Sequence, residues 1–175
     1  MTKILINLDL HGGDFAPNSV LEGANIAYKN NNSIRFQFHS TKEVYEKTKK
    51  EFSKLFEISD WIESNNYILP EMKPSDALKK NNRKSSMSNA INQLKEDKSQ
   101  IVISAGNTGA MMAYSTVYLR TIDNISRPAI ASLFPSEHHP VCFLDLGANS
   151  ECSSENFILP EMKPSDALKK HNRKS

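Results

Sequence analysis

Residues Ile101–Arg120 read IVISAGNTGAMMAYSTVYLR. Ile101–Ser104 are apolar and β-branched or small, which predicts a buried strand. Ala105-Gly106-Asn107-Thr108-Gly109 follows, and glycine and asparagine both accept a positive φ, so the segment predicts a sharp turn. Helix formers take over from Ala110 to Arg120, with Thr108 as the cap and Arg120 suited to the negative end of the helix dipole. The unit is strand, tight turn, helix. It presents backbone N–H groups and a helix N-terminus at the carboxyl end of a strand. In an open α/β sheet ligands bind there, and the helix end favours an anion. The same residues also make a plain strand-to-helix connection that binds nothing.

Two further stretches share the pattern. Lys3–Asp9 (KILINLD) is an apolar strand ending in a carboxylate and opening into His11-Gly12-Gly13-Asp14. Val141–Leu146 (VCFLDL) ends near Asp145 and opens into Gly147-Ala148-Asn149. Between them strands and helices alternate. Asn18 or Ser19 caps a helix whose Glu22 completes a capping box with Ser19, and Val20, Leu21, Ala24, Ile26 and Ala27 supply its apolar face. That helix stops in Asn30-Asn31-Asn32, and Ile34–His39 alternates as a strand. Thr41 caps a charged helix through Phe56 with Val44, Phe52, Leu55 and Phe56 inward. Asp60–Asn65 holds a short strand, and Pro74 opens a short helix through Lys80. Ser86 or Ser88 starts another helix through Lys95. Ala129–Phe134 is a strand, and Pro135–Pro140 a turn with an exposed His138-His139 pair that does not read as a metal site. The pattern predicts an α/β fold: an open, mostly parallel sheet with helices on both faces and a ligand site at the carboxyl ends of its strands.

Composition sets outer bounds. The 175 residues carry a formal charge of +2 and 38% apolar side chains, with a mean hydropathy of −0.52. That is one domain's worth of chain with a core to bury, and no charge excess that calls for nucleic acid. No apolar run approaches the ~20 residues of a membrane span, and residues 1–10 do not read as a signal peptide. Cys142 and Cys152 read as two thiols in a reducing cytoplasm rather than a disulfide, although the pairing stays open.

Arg83-Lys84-Ser85-Ser86 places two cations and two hydroxyls at a helix start, where a phosphate can be held. Read alone, the cluster favours an ordinary cap with solvated basic residues. Ile158–Ser175 (ILPEMKPSDALKKHNRKS) repeats Ile68–Ser85 with one difference, His171 for Asn81. A solenoid shows several diverged repeats. One near-perfect copy is instead expected to be an appended duplication, with a short helix over Pro164–Lys170 and otherwise loosely held. The expected organisation is an α/β domain over residues 1–157 and a duplicated tail over 158–175.

LDLHGGDFAP (8–17), DALKKNNRKSSM (76–87), VISAGNTGAMMA (102–113), ISRPAIAS (125–132) and LDLGANSEC (144–152) together resemble the bacterial phosphate acyltransferases of phospholipid synthesis. The resemblance runs from Met1 to about Asn156. It implies the fold of isocitrate and isopropylmalate dehydrogenases and of phosphotransacetylases. It implies transfer of a long acyl group from acyl carrier protein to inorganic phosphate, giving acyl-phosphate for phospholipid synthesis, in a cytoplasmic homodimer that can associate peripherally with membranes. The family continues with a second half carrying further active-site residues and most dimer contacts, and it usually has Met where His11 stands. The alternatives are a catalytically inactive truncated form and a non-enzymatic module binding phosphate or acyl carrier protein.

Phosphate is itself the nucleophile in such a reaction, so no triad, metal or redox cofactor is called for. The protein must hold an anion beside a thioester and stabilise the developing oxyanion. The residues expected at the phosphate and substrate site are Gly12, Gly13, Asp14, Lys84, Ser85, Ser86, Asn107, Thr108, Gly109 and Asn149.

Overall fold

Strand β1 (Ile4–Asp9) lies between β2 (Ile34–Ser40) and β4 (Ile101–Ile103), and β3 (Asp60–Glu63) flanks β2. The order is β3-β2-β1-β4, and every pair is parallel. These positions come from a computed structural model that describes residues 4–95, 99, 101–121, 128–137 and 139–144. The chain divides into two units, Met1–Pro128 and Ala129–Ser175. The four-stranded sheet belongs to the first.

Period-two alternation gives the sheet two different faces. Ile6, Leu8, Phe36 and Phe38 point to one side, where Leu21 and Ala24 of α1 (Asn18–Asn30) and Leu55 of α3 (Ser53–Glu57) close over them. Phe38 and Leu21 are fully buried, and each such side chain contributes about 1.5–3 kcal/mol of transfer free energy. The opposite side is polar at β1 and β2. Asn7, Asp9 and His39 are buried there, under α5 (Ser86–Lys95), which packs on β1, β2 and β4. A second apolar cluster joins α4 (Pro74–Ala77), α5 and α6 (Thr108–Tyr118) through Ala77, Met87, Ile91, Ala110 and Tyr114. Helices thus cover both faces of a parallel sheet, as the alternation of elements predicts.

Several local expectations are corrected. No Ser19–Glu22 capping box forms. Pro17 is the N-cap of α1 without a side-chain bond, and the first-turn amides of Ser19 and Leu21 reach the carbonyls of Phe15 and Pro17. Ile26 is 60% exposed, because the buried stripe follows Leu21, Ala24 and Tyr28 at helical spacing and Ile26 lies off it. The single helix expected from Thr41 to Phe56 is two, α2 (Lys42–Thr48) and α3. At the break the hydroxyl of Thr48 donates back to the Val44 carbonyl, a local bond that competes with helix continuation. β4 is not buried. It pairs only with β1 among the described strands, which leaves Ile101 and Ile103 exposed.

In the second unit β5 (Ala131–Phe134) and β6 (Val141–Leu144) pair with each other, antiparallel. The sequence pattern instead places both in the mostly parallel sheet. The short connection through Pro135–Pro140 allows a hairpin but not the crossover of a dozen or more residues that parallel pairing needs. Asp145, Gly147, Asn149, Cys152 and the repeated segment 158–175 lie outside the described residues. Among the described residues no helix is long and apolar enough to cross a membrane.

Candidate functional site

The pairing of Leu8 with Ile103 sets the ends of β1 and β4 side by side, so Asp9 and Ser104 meet. The Ser104 hydroxyl donates to Asp9 Oδ2 at 2.8 Å. Asp9 Oδ1 accepts from the His11 amide at 3.1 Å, and the Gly106 amide donates to Ser104 Oγ at 3.2 Å. One buried carboxylate and one hydroxyl therefore tie the two turns together.

The glycines explain how closely the turns approach. A Cβ on Gly12 would sit 2.7 Å from the Gly106 nitrogen and 2.8 Å from that of Ala105, both backbone atoms with no freedom to yield. Gly13 has φ +103°, the left-handed region that glycine alone enters at no steric cost. Gly106 is overlain by Met87 of α5, whose Cε would lie 3.1 Å from an added Cβ. The turn after β1, the turn after β4 and the first turn of α5 converge at the carboxyl edge of the sheet.

Asn107, not Thr108, caps α6. Its Oδ1 accepts from the Ala110 amide at 2.9 Å. Its Nδ2 is directed to the carbonyls of Leu69, Pro70 and Met72, the latter two at 2.8 Å. The side chain is thereby committed to clamping the 69–72 loop, and what Asn107 offers a ligand is its backbone. Thr108 is exposed, and Gly109 is packed against Pro74, whose Cγ would stand 2.8 Å from an added Cβ. The opening amides of α6 are the orphan donors of a helix N-terminus.

At α5 the cap is Ser85. It is fully buried and accepts from the Ser88 amide at 3.3 Å. Ser86 is the first helical residue. Its amide donates to the Asn66 carbonyl, while its hydroxyl is buried without a partner among the described residues. Lys84 is exposed and lines a cleft of 740 Å³ with Asn65, Lys80, Asn81 and Arg83. No residue of the glycine turns lines that cleft. Asp14 is exposed on the β1 turn. Gly12 and Gly13 are therefore joined to Ser104 and Gly106, with Met87 of α5 beside them. Lys84 opens on a different surface depression. Asn149 is outside the described residues.

Two histidines brace the site from beneath. His11 Nε2 accepts from the Thr41 amide at 3.1 Å, which places the ring proton on Nδ1. The ring stacks on Tyr67 with centroids 4.3 Å apart and planes 4° from parallel. His11 thus links the ends of β1, β2 and the segment after β3. Burial lowers its pKa, and the charges of Asp9 and Glu43 oppose that only in part. His39 is fully buried beside Asn7, with Nε2 2.9 Å from Asn7 Oδ1. The Asn7 amide nitrogen in turn donates to Ser99 Oγ. Burial pushes His39 down to about 4. Sequence reasoning gives no structural role to His11, in the turn after β1, or to His39, next to the last residue of β2. Among the described residues no cluster of His, Cys, Asp or Glu could hold a metal.

The family model described as fatty acid synthesis protein matches residues 4–159. The phosphate acyltransferase of Ehrlichia ruminantium is 39% identical over 161 residues, 90% of this chain and 47% of the relative. That of Wolbachia pipientis wMel is 40% identical over 160 residues, covering 89% and 46%. That of Pelagibacter ubique is 38% identical over 160 residues, covering 90% and 47%. The chain spans about half the length of these curated relatives. With both glycine turns and the α5 entrance inside the matched span, the chain belongs to the fatty acid synthesis protein family, whose curated relatives here are phosphate acyltransferases.

Proposed function

We propose that the glycine cradle and the opening turns of α5 and α6 form the phosphate-holding part of a phosphate acyltransferase. An oxygen of inorganic phosphate attacks the carbonyl carbon of an acyl thioester carried by acyl carrier protein. The C–O bond forms, the C–S bond breaks, the thiolate leaves and takes a proton, and acyl-phosphate results. Backbone amides at Gly13, Thr108 and Gly109 hold the anion and the developing oxyanion, while Gly12, whose own amide is turned to the Asp9 carbonyl, lets the two turns close together. Lys84 adds positive charge from a separate depression, and Asp14, Ser85, Ser86 and Asn107 shape the site. Preorganised amides at helix ends suit this work because they need no reorganisation as charge develops.

The observation that carries the reading is the contact of Gly12 with Gly106, which leaves no room for a side chain between two strand-end turns, in a chain similar to named phosphate acyltransferases. The parallel sheet supports the finer assignment to the isocitrate and isopropylmalate dehydrogenase fold. The reading extends to residues 1–157 as the catalytic-half domain with 158–175 as an appended copy, to a cytoplasmic setting, and to a homodimer completed by a second half. The test is orthophosphate titration, followed by an acyl-phosphate formation assay on the purified chain, alone and mixed with the separately produced second half of a relative. Saturable phosphate binding, and turnover in the mixture, are expected. A chain that binds no phosphate sinks the proposal.

A further inference from the structure

The cleft lined by Asn65, Lys80, Asn81, Arg83 and Lys84 stands on an unusually fixed frame. The hydroxyl of Tyr114, itself fully buried, lies 2.6 Å from the Ala77 carbonyl and 2.8 Å from that of Asn82. Asn66 Nδ2 donates to the Asn81 carbonyl and to Asn82 Oδ1. Asn82 Nδ2 donates to the Asp76 carbonyl at 2.9 Å. The Asn65 amide donates to the Lys84 carbonyl at 3.0 Å. The backbone from Asp76 to Lys84 is thus held from within while three cations project from it.

Those cations are not neutralised locally. Lys79, one position earlier, pairs with Asp76 at 2.7 Å. Among the described residues Lys80, Arg83 and Lys84 have no carboxylate within ion-pair distance, and the side-chain amides of Asn65 and Asn81 have no hydrogen-bond partner. Three exposed like charges on one rigid turn raise the local positive potential, which favours an anion at low ionic strength. The hollow is an open depression of 740 Å³, a volume within the range of small-ligand sites, about 300–1,000 Å³. That volume fits a small anion with an organic or second phosphoryl group, whose carbon or bridging part can lie on the side-chain stems. The arginine fork matches two phosphate oxygens at once, and the lysines supply point charges.

We propose that this cleft is a second anion site, which binds a phosphate ester or diphosphate through Lys80, Arg83 and Lys84, with the Asn65 and Asn81 amides on the remainder of the ligand. It shares Lys84 with the acyl-transfer reading, but none of the glycine turns lines it. The test is calorimetric titration of pyrophosphate into the full chain. Wild type should bind. Lys80→Ala/Arg83→Ala should weaken binding tenfold or more, and the charge-conserving Lys80→Arg/Arg83→Lys should retain it. Both positions are exposed, and Lys84, shared with the proposed phosphate site, is left untouched. No binding by wild type, or equal binding by the alanine pair, overturns the proposal. A second arm uses flotation with phosphatidic acid vesicles. Flotation lost in the alanine pair, without pyrophosphate binding, overturns the small-ligand assignment in favour of a lipid headgroup.

Discussion

The Ser104 hydroxyl donates to Asp9 Oδ2 at 2.8 Å across 95 positions of sequence. It also accepts from the Gly106 amide, so one oxygen fixes both turns of the cradle. Ser104→Ala leaves a buried carboxylate oxygen and an amide without this partner. The expected loss is about 1–3 kcal/mol of stability, with weaker orthophosphate binding because the Gly106 turn loses its anchor. Denaturant titration and calorimetry on the same sample check it. Unchanged phosphate affinity would mean that the cradle does not hold the anion.

Gly12→Ala should be worse than an average surface change. Its Cβ meets backbone nitrogens at 2.7 and 2.8 Å, and neither turn can retreat without breaking the Asp9–Ser104 bond. Gly23, whose added Cβ meets nothing within 4 Å, is the control. Gly23→Ala should stabilise helix α1 by about 0.5–1 kcal/mol, whereas Gly12→Ala should lower the thermal midpoint.

Tyr114→Phe removes one oxygen that serves the carbonyls of Ala77 and Asn82 and contacts Ser85 Oγ. Burial, the largest influence, raises the Tyr114 pKa, so the phenol stays protonated and able to donate at neutral pH. The substitution should cost about 1–3 kcal/mol and speed amide hydrogen exchange at Asn82 and Ser85. Exchange unchanged at those amides would show that the basic turn holds its shape without the staple.

Acid should destabilise the fold through His39. Its folded pKa is about 4 against an ordinary 6.5, so between those values the unfolded chain binds more protons and stability rises with pH. The contribution is complete above pH 6.5 and is lost as pH falls through 4. The size is about 3 kcal/mol, at 1.36 kcal/mol per pKa unit. His11, also lowered, acts with the same sign. His39→Gln keeps an amide donor toward Asn7 without titrating. Its stability should fall less steeply than that of wild type between pH 6.5 and 4, as read from urea midpoints. Parallel curves would assign the acid sensitivity elsewhere.

The strand-turn-helix units were legible because glycine, asparagine and apolar runs carry local signals. Ile101–Thr108 could be read without knowing what lies beside it. The tie between Asp9 and Ser104 depends on which strands are neighbours, and local pattern does not encode that order. The same blindness explains Asn107. Its type suits a turn, but the carbonyls that occupy it belong to the 69–72 loop. Residue chemistry groups Lys84 with the glycine turns, and the depression it lines is set by the fold of residues 65–84, which local pattern does not encode. Apolar character predicts burial of Ile101, which is exposed, because it does not reveal whether a strand lies at an edge.

The near-identical segments 68–85 and 158–175 allow a comparison within one chain. Leu78 and Leu168 occupy equivalent places in them. Leu78 packs against the cluster of Ala77, Met87 and Tyr114, and Tyr114 donates to the backbone on either side of it. The chain has one Tyr114, and its hydroxyl is committed to the first copy. Equal local sequence should therefore give unequal stability, because the difference lies in what packs against each copy. Leu78→Ala should cost about 2 kcal/mol, near the low end for a large-to-small change since the residue is only partly buried. Leu168→Ala should leave the thermal midpoint nearly unchanged, as should deletion of 158–175. Equal losses from the two leucine substitutions would mean that the second copy has a docking surface of its own, and the appended-copy reading would fall.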